Sequence, residues 1–299
     1  MTEHALIAKA TAFVEEQGQW GQPIETGLPG LAVYASRGPT DLECIQYEPV
    51  ACLILQGGKE TNLGDRTYAY RAGASLIVSH DVQVYARVTE ASHEAPYVAL
   101  ILILDLDIVR SLYGEVSDSE IAEAQATSID VCETDSGLYD AMSRYFALLD
   151  TPAEAKVLGP LILKEMHFRL LTAPHGGMLR NLIQRNSHAS RITRAIAYIR
   201  QDFANPLAVA DLADDAGMSA SSFHEHFKSI TATTPLQYQK DLRLMEARRL
   251  LMSGQFSVST TAYEVGYESP TQFSREYSRK FGVSPRRDRQ QGADAVVKI

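Results

Sequence analysis

The chain has 299 residues and a mass of 32.9 kDa, long enough for two ordinary domains because single hydrophobic cores usually stop growing at roughly 250 to 300 residues. Its 45% hydrophobic and 22% charged residues are typical of globular proteins and argue against extended disorder or a fibrous repeat. The net charge of −9 is unevenly spread: residues 1–185 hold 13 Lys and Arg against 25 Asp and Glu, whereas 186–299 hold 15 against 12. Such asymmetry hints at a nucleic-acid-binding portion joined to a different domain.

The sequence shows no signal for a membrane or for export. No apolar run approaches the roughly 20 residues that a spanning helix needs, and the first twenty residues lack a basic block followed by an apolar one. Cys44, Cys52 and Cys132 are odd in number and have no C-x-x-C spacing, which fits a reducing compartment. We therefore expect a cytoplasmic protein without a membrane partner.

The first part of the chain changes from helical to strand-like and back. Apolar spacing predicts a helix over 3–17, and from 30 to 104 short Val, Ile, Leu and Tyr runs broken by Gly, Pro and Asp predict a sandwich or barrel. Helical spacing returns over 105–113, 137–149 and 154–172. The apolar stripe of the last helix fits two interpretations, a cover for the barrel or a seam between two copies.

A polar connector is predicted between 174 and 190, where Pro174, Gly176 and Gly177 interrupt the helical pattern. It divides the chain into expected domains at 5–185 and 190–290.

From Ile192 onward the sequence reads as helices and contains a duplicated layout. Residues 207–228 predict a helix, a Gly217 turn, and a second helix capped by Ser219. Residues 258–280 repeat this pattern 50 positions later, with a Gly266 turn, a Ser269 cap and Pro270 at the first helical position. Each half is a helix-turn-helix pattern.

The second helix of each repeat has a predicted buried face, Phe223 with Phe227 and Phe273 with Tyr277, so the opposite face is left for a partner. On double-stranded DNA these outward side chains would enter the major groove: Ser221, His224, Glu225, Lys228, Thr271, Gln272, Ser274 and Arg275. Arg275 is the strongest candidate for reading a base, because a guanidinium can pair with guanine O6 and N7.

A linker helix from Leu236 to Met252 would hold the two units apart as a strut of roughly 25 Å, at 1.5 Å per residue. Candidates for phosphate contacts follow from charge: Arg243, Arg279, Lys280, Arg286, Arg287 and Arg289. Arg248 and Arg249 fit either phosphate contact or a solvated helix face. Glu225 is unusual at a position expected to face DNA, because its carboxylate would either accept a hydrogen bond from cytosine N4 or repel the phosphates. His226 is expected to pack near the buried face of the same helix.

Two strings make this half resemble the double helix-turn-helix domain of the AraC/XylS family of bacterial transcription regulators: AYEVGYESPTQFSREYSRKFGVSP at 262–285 and PLQYQKDLRLMEARRLL at 235–251. Stretches 47–73, 89–105 and 164–180 resemble the cupin-like N-terminal domain of a subgroup of that family. The resemblance implies an α+β protein of two domains, a cupin-like β-barrel with trailing helices followed by an all-α double helix-turn-helix domain. It also implies a promoter or operator as DNA partner, with RNA polymerase and a second copy as further candidates.

The N-terminal half has no constellation for catalysis, so we expect no enzyme, no metal and no cofactor. His80 and His93 are its only histidines between 30 and 104, without the H-x-H pair of metal-binding cupins, and no nucleophile elbow, P-loop or Rossmann fingerprint is present. Candidate contacts to a small, anionic effector are the polar and aromatic residues of the strand region: Gln56, Lys59, Arg66, Tyr68, Tyr70, Arg71, His80 and Arg87. Turn formation and surface salt bridges are competing roles for Arg66 and Arg71.

Three functional hypotheses therefore remain after the sequence alone. The first is a regulator controlled by a small molecule in the N-terminal barrel. The alternatives are a cupin-type enzyme with a DNA-binding tail and a ligand-independent dimeric regulator.

Overall fold

The computed structural model describes residues 2–113, 115, 128–174, 176–179 and 188–296, with side chains as far as residue 290. The chain divides into two compact units, Met1–Thr193 with Ser229–Ala232, and Arg194–Lys228 with Thr233–Ile299. Much of the predicted connector at 174–190 lies outside the described residues. Among the described residues, no helix is both long and apolar enough to cross a bilayer.

The N-terminal unit consists of antiparallel strands with helices at its start and end. The helices are α1 Glu3–Gln17, α2 Leu106–Tyr113, α3 Ser136–Ala147 and α4 Pro152–Thr172. The strands are β1 Ile24–Glu25, β2 Leu31–Ser36, β3 Glu43–Tyr47, β4 Val50–Gln56, β5 Gly58–Leu63, β6 Arg66–Arg71, β7 Ala74–Val78, β8 Val82–Glu90, β9 Tyr97–Ile103 and β10 Ile129–Glu133.

These strands form two sheets, one with the order β1-β2-β9-β4-β7-β10 and one with the order β3-β8-β5-β6. The predicted barrel is therefore an arrangement of two sheets that do not close into one cylinder, and this arrangement is compatible with a cupin-like jelly roll. All pairings are antiparallel. Successive residues of each strand point to opposite faces of its sheet.

The six-stranded sheet is buried on both faces. On β4, Cys52 and Ile54 belong to a core shared with the four-stranded sheet, whereas Leu53 and Leu55 belong to a second core shared with the helices. We call these the inner core and the outer core. Burial on both sides explains why β9 reads as the uninterrupted apolar run YVALILI.

Helix α4 has two apolar faces. Ile162 and Met166 are buried in the outer core, which confirms the predicted covering role. Val157, Leu161 and Phe168 lie on the other side with 67%, 64% and 43% of their surface exposed. The stripe seen in the sequence therefore serves the fold on one side and is left uncovered on the other.

The C-terminal part of the chain is helical: α5 His188–Gln201, α6 Val209–Asp215, α7 Ala220–Thr231, α8 Pro235–Met252, α9 Val258–Glu264, α10 Pro270–Phe281 and α11 Pro285–Val296. Local signals in the sequence set their starts. The Ser219 hydroxyl accepts from the N–H of Ser222 at 3.3 Å, and the Ser269 hydroxyl accepts from that of Gln272 at 3.3 Å. Both predicted caps are therefore confirmed.

The predicted buried faces of α7 and α10 are also confirmed. Phe223 and Phe227 have ring centroids 5.8 Å apart, and Phe273 and Tyr277 have theirs 5.5 Å apart; all four side chains are fully buried. Such aromatic pairs supply most of the apolar surface that fixes how each helix rotates about its axis. The helix faces opposite these rings are thereby turned outward.

Candidate nucleic-acid interface

The outward face of α7 is open along its length. Ser221, His224, Glu225 and Lys228 are all exposed, as the sequence predicts. His226 is half-buried beside the aromatic pair. The outward face of α7 therefore presents two polar groups, one carboxylate and one ammonium.

The outward face of α10 combines exposed and internally bonded groups. Thr271 and Arg275 are exposed, while the Gln272 side-chain amide donates to a carboxylate oxygen of Glu276 at 3.3 Å. Ser274 is half-buried and its hydroxyl donates to the carbonyl of Pro270 at 2.8 Å. Thr271, Ser274 and Arg275 line one side of a concave surface of about 680 Å³, and Val258 and Ser259 at the start of α9 line the other.

Arg243 has a structural position that the charge pattern did not reveal. Its guanidinium donates to the carbonyls of Phe203, Ala204 and Asn205 in the loop after α5, and to the carbonyl of Gly266 in the second helix-turn-helix, at 2.7 to 3.0 Å. Its donors are thus directed at the backbone of the protein itself. We therefore replace the phosphate contact predicted for Arg243 with a structural role: its guanidinium links these two turns. We call this set of hydrogen bonds the Arg243 clamp.

Lys280 is a second correction. Its ammonium lies 2.6 Å from a carboxylate oxygen of Asp241 on α8, and only 8% of its side chain is exposed. On the same side, Lys240 lies 3.2 Å from Glu276. Burial opposes ionisation of Glu276, but hydrogen bonds from Tyr267, Gln272 and Lys240 outweigh it and lower its pKa. These pairs fasten α10 to the strut, so Lys280 is removed from the phosphate set.

The other residues predicted to contact DNA phosphates remain predictions. Arg279, Arg286 and Arg287 are exposed and Arg289 is half-buried. Arg249 pairs with Glu246 on the exposed side of α8, which matches the solvated alternative considered for it.

Asp288 is a residue whose importance the sequence did not signal. It is 3% exposed, accepts from the Tyr277 hydroxyl at 2.7 Å, and lies 3.2 Å from Nε of Arg248. The Arg248 guanidinium also stacks on the Phe281 ring at 4.8 Å. This network joins α8, α10 and α11, and it makes Arg248 a structural residue.

In the N-terminal unit, Lys59 is surrounded by tyrosines of the inner core. Its ammonium lies 5.0 Å from the ring centroid of Tyr34 and 5.7 Å from that of Tyr47. Tyr70 stands opposite Lys59 in the β5–β6 pair, and the Tyr97 ring lies 5.8 Å from that of Tyr34. We call Lys59 with Tyr34, Tyr47, Tyr70 and Tyr97 the lysine–tyrosine cluster. The sequence singled out only Lys59 and Tyr70 of it.

The charge state of this cluster follows from burial. Burial disfavours the ammonium of Lys59, but the Tyr47 hydrogen bond and the neighbouring Tyr34 and Cys52 outweigh it, so its pKa is raised and it stays a cation at neutral pH. Burial also raises the pKa of Tyr97 well above its ordinary value. Burial raises the pKa values of Tyr34 and Tyr70 as well, so the Lys59 cation lies beside three neutral phenols, those of Tyr34, Tyr70 and Tyr97.

The other effector candidates are placed differently. Gln56 donates to the carbonyl of Pro96 at 2.8 Å, Arg71 lies 2.6 Å from Glu90, and Arg87 lies 3.3 Å from Glu60. Arg71 and Arg87 therefore form surface ion pairs, and this role replaces the effector contact predicted for them. Arg66 is exposed at the start of β6, and Tyr68 is half-buried against the inner core.

His80 is buried and bonded to its neighbour, with Nδ1 2.7 Å from the Ser79 hydroxyl. Burial lowers the pKa of His80 to about 4, so the ring is neutral at pH 7 and gives no charge to an anionic ligand. Within the described residues, no three His, Cys, Asp or Glu side chains gather as a metal site.

Known proteins match both parts of the chain. Residues 27–178 match the AraC-type transcriptional regulator N-terminus, and residues 212–291 match a helix-turn-helix domain. The HTH-type transcriptional activator RhaS of Escherichia coli is 36% identical over 109 residues, 36% of this chain and 39% of RhaS, and RhaS of Shigella boydii gives the same values. The chain thus matches about two fifths of the length of these curated relatives.

Solved structures of ToxT from Vibrio cholerae share the fold. The wild-type protein of strain SCE256 with an unsaturated fatty acid gives a TM-score of 0.56 at 12% identity, covering 85% of this chain and 92% of ToxT. ToxT of strain O395 bound to (E)-4-(8-methylnaphthalen-1-yl)but-3-enoic acid gives 0.56 at 12% identity, covering 88% and 98%. The predicted fold class, a β-rich domain followed by a helical one, is confirmed. Because the N-terminal match alone spans half of its residues, this chain belongs to the AraC family of transcriptional regulators.

Proposed function

We propose that this protein binds double-stranded DNA through α7 and α10 and regulates transcription from the promoter or operator that contains its site. One observation carries the proposal: in both helix-turn-helix units the aromatic pair is buried and the opposite helix face is exposed. The strut α8, of 18 residues, spans about 27 Å at 1.5 Å per residue, which suits recognition of successive major grooves. We assign no catalytic step to the chain and place it in the cytoplasm.

The domain limits of the proposal are 5–185 for the sensing part and 190–290 for the DNA-binding part. We propose a second copy of the chain and RNA polymerase as its protein partners. For the second copy, the supporting observation is the uncovered α4 stripe of Val157, Leu161 and Phe168, because a large exposed apolar patch marks an interaction surface.

Replacing Arg275 with alanine is expected to relax the preference at one position of the DNA site. A bidentate contact to guanine contributes about 1 to 3 kcal/mol of discrimination, so the preference should fall roughly fivefold to 150-fold. The site is first located by footprinting on the DNA upstream of the protein's own coding sequence. Band-shift titrations with each of the four base pairs at every position then measure the change.

Arg287→Ala is the matched control, because Arg287 is exposed on α11 and is proposed to contact phosphate. It should weaken binding evenly across sequences and reduce the slope of log K against log salt by about one. Unchanged base preferences in Arg275→Ala would remove that residue from base recognition.

We further propose that the effector is an apolar molecule with a carboxylate, held by the lysine–tyrosine cluster. Both ligands named for the ToxT structures are carboxylic acids. In this chain, the single ammonium of Lys59 would balance one carboxylate, and the surrounding rings would contact an apolar body. An effector shifts DNA binding only if its affinity differs between the two states of the protein.

The Lys59→Met variant tests this assignment, because methionine keeps an unbranched apolar side chain, one heavy atom shorter, and removes the charge. With oleate as the probe, we expect the wild-type protein to change its affinity for the operator and Lys59→Met to lose most of that response. Arg71→Met, which removes an exposed cation paired with Glu90, serves as control and should respond like the wild type. An equal response in Lys59→Met and the wild type would contradict the assignment.

A further inference from the structure

A cavity lies in the N-terminal unit, on the helical side of the six-stranded sheet. It has a volume of about 620 Å³ and is bounded by residues 26–29 before β2, by Ile108 of α2, by Tyr145 of α3 and by one face of α4. Small-molecule sites typically measure roughly 300 to 1,000 Å³ and are mostly apolar, and this groove has both properties. Its walls belong to the outer core, whereas the lysine–tyrosine cluster faces the inner core.

The α4 wall of the groove has a position without a side chain. Lys156, Gly159, Pro160 and Leu163 follow one another at helical spacing along this wall. Gly159 has no side chain to cover the helix, and a Cβ placed there would meet only the Tyr145 ring at 3.7 Å. A larger side chain at this position would therefore extend toward Tyr145 and narrow the groove.

Pro160 adds a hydrogen-bond acceptor to the same wall. Proline has no N–H, so it cannot donate the helical bond that the carbonyl of Lys156 would otherwise receive. That carbonyl points along the helix toward the Pro160 ring and thus lies on the face that lines the groove. A carbonyl that lacks its helical donor can accept a hydrogen bond from a ligand instead.

The ammonium of Lys156 belongs to the residue that carries this carbonyl. The side chain is exposed at the groove, and it forms no ion pair with any residue that the structure describes. One residue thus offers a cation and a neutral acceptor, next to a long apolar surface formed by Leu148, Leu149 and Leu163.

We propose that this groove is a binding site for an apolar carboxylic acid that carries a hydroxyl or amide N–H close to its carboxylate. The carboxylate pairs with the Lys156 ammonium, the neighbouring O–H or N–H donates to the Lys156 carbonyl, and the apolar tail lies along the groove. A single lysine balances one negative charge, which favours a carboxylate over a phosphate dianion. The site is separate from the one proposed at Lys59.

Calorimetric titration of the full chain with 3-hydroxydecanoate and with decanoate tests the proposal. The titrations use the Lys59→Met background, in which the proposed effector site has lost its charge. We expect one saturable site there, with the hydroxy acid bound about threefold to tenfold more tightly, the usual gain from one hydrogen bond. Pro160→Ala restores the N–H that satisfies the Lys156 carbonyl, so it should erase the difference between the two acids while decanoate still binds. Lys156→Glu should weaken both acids by about tenfold.

Two further variants locate the site. Gly159→Leu fills the groove and should abolish binding, with the melting temperature as a check on folding. Arg71→Met, which removes an exposed cation paired with Glu90 and outside both proposed sites, should leave both affinities unchanged. The effector assignment is tested by the oleate response of operator binding and this one by titration without charge at Lys59, so their failures are distinguishable. The proposal is overturned if neither acid binds at millimolar concentration, if Pro160→Ala keeps the preference for the hydroxy acid, or if Lys156→Glu binds both acids as tightly as its parent.

Discussion

Gly266→Ala is expected to lower the free energy of unfolding of the helical unit by about 3 to 5 kcal/mol. Gly266 has φ +85°, a left-handed conformation that costs other residues roughly 1 to 2 kcal/mol. A Cβ at this position would also lie 1.9 Å from the carbonyl oxygen of Ala204, so backbone would have to move, and such overpacking typically costs 1 to 3 kcal/mol or more. The Arg243 clamp joins the same two turns and would be strained with them.

Urea unfolding can isolate this effect because the chain has one tryptophan, Trp20, in the N-terminal unit. Trp20 fluorescence should keep its wild-type transition, while the helical signal in circular dichroism should show an earlier one. Gly282→Ala is the control, since Gly282 has φ +72° but open space around its Cβ, and it should cost only about 1 to 2 kcal/mol. Equal losses in the two variants would show that the clash with Ala204 has no effect.

Asp288→Ala is expected to destabilise the helical unit by about 3 kcal/mol. The change leaves the Tyr277 hydroxyl without its buried acceptor and the Arg248 guanidinium without its carboxylate. Removing one partner of a buried pair costs about 3 to 5 kcal/mol, and the lower end applies because 37% of the Arg248 side chain is exposed. Circular dichroism in urea again measures the loss.

Two comparisons give this prediction its specificity. Asp288→Asn keeps an acceptor for Tyr277 and should lose less stability than Asp288→Ala. Glu246→Ala breaks an exposed pair with Arg249 on the same strut and should cost at most about 1 kcal/mol. If Glu246→Ala and Asp288→Ala cost the same, burial of the carboxylate would not be what stabilises the junction.

The helix-turn-helix units could be predicted from the sequence because their signals are local. The serine caps, the glycine turns and the aromatic spacing all lie within about 20 residues, and each is confirmed. Arg243 could not be placed in this way, because the carbonyls it contacts lie 23 to 40 residues away and belong to turns whose approach depends on packing. Counting cations along a helix does not distinguish a clamp from a phosphate contact.

The lysine–tyrosine cluster was only half predicted for a related reason. Tyr34, Tyr47 and Tyr97 lie on β2, β3 and β9, and the register between distant antiparallel strands brings them to Lys59. The alternation of side chains along β9 could have revealed part of the cluster, because Tyr97, Ala99 and Ile101 face the inner core and the residues between them face the helices. A run that is apolar at every position hides that alternation.

The two-faced burial of the six-stranded sheet has a consequence for how this protein can diversify. Along each central strand, one set of alternate side chains holds the helices in place, and the other set faces the region where an effector is proposed to bind. A substitution in the second set, such as one at Tyr34 or Tyr97, changes the chemistry that a ligand meets and leaves the helix contacts of the first set in place. Ligand specificity and helix packing therefore depend on different positions of the same strand. Substitutions can change which ligand is bound without disturbing the packing of the helices.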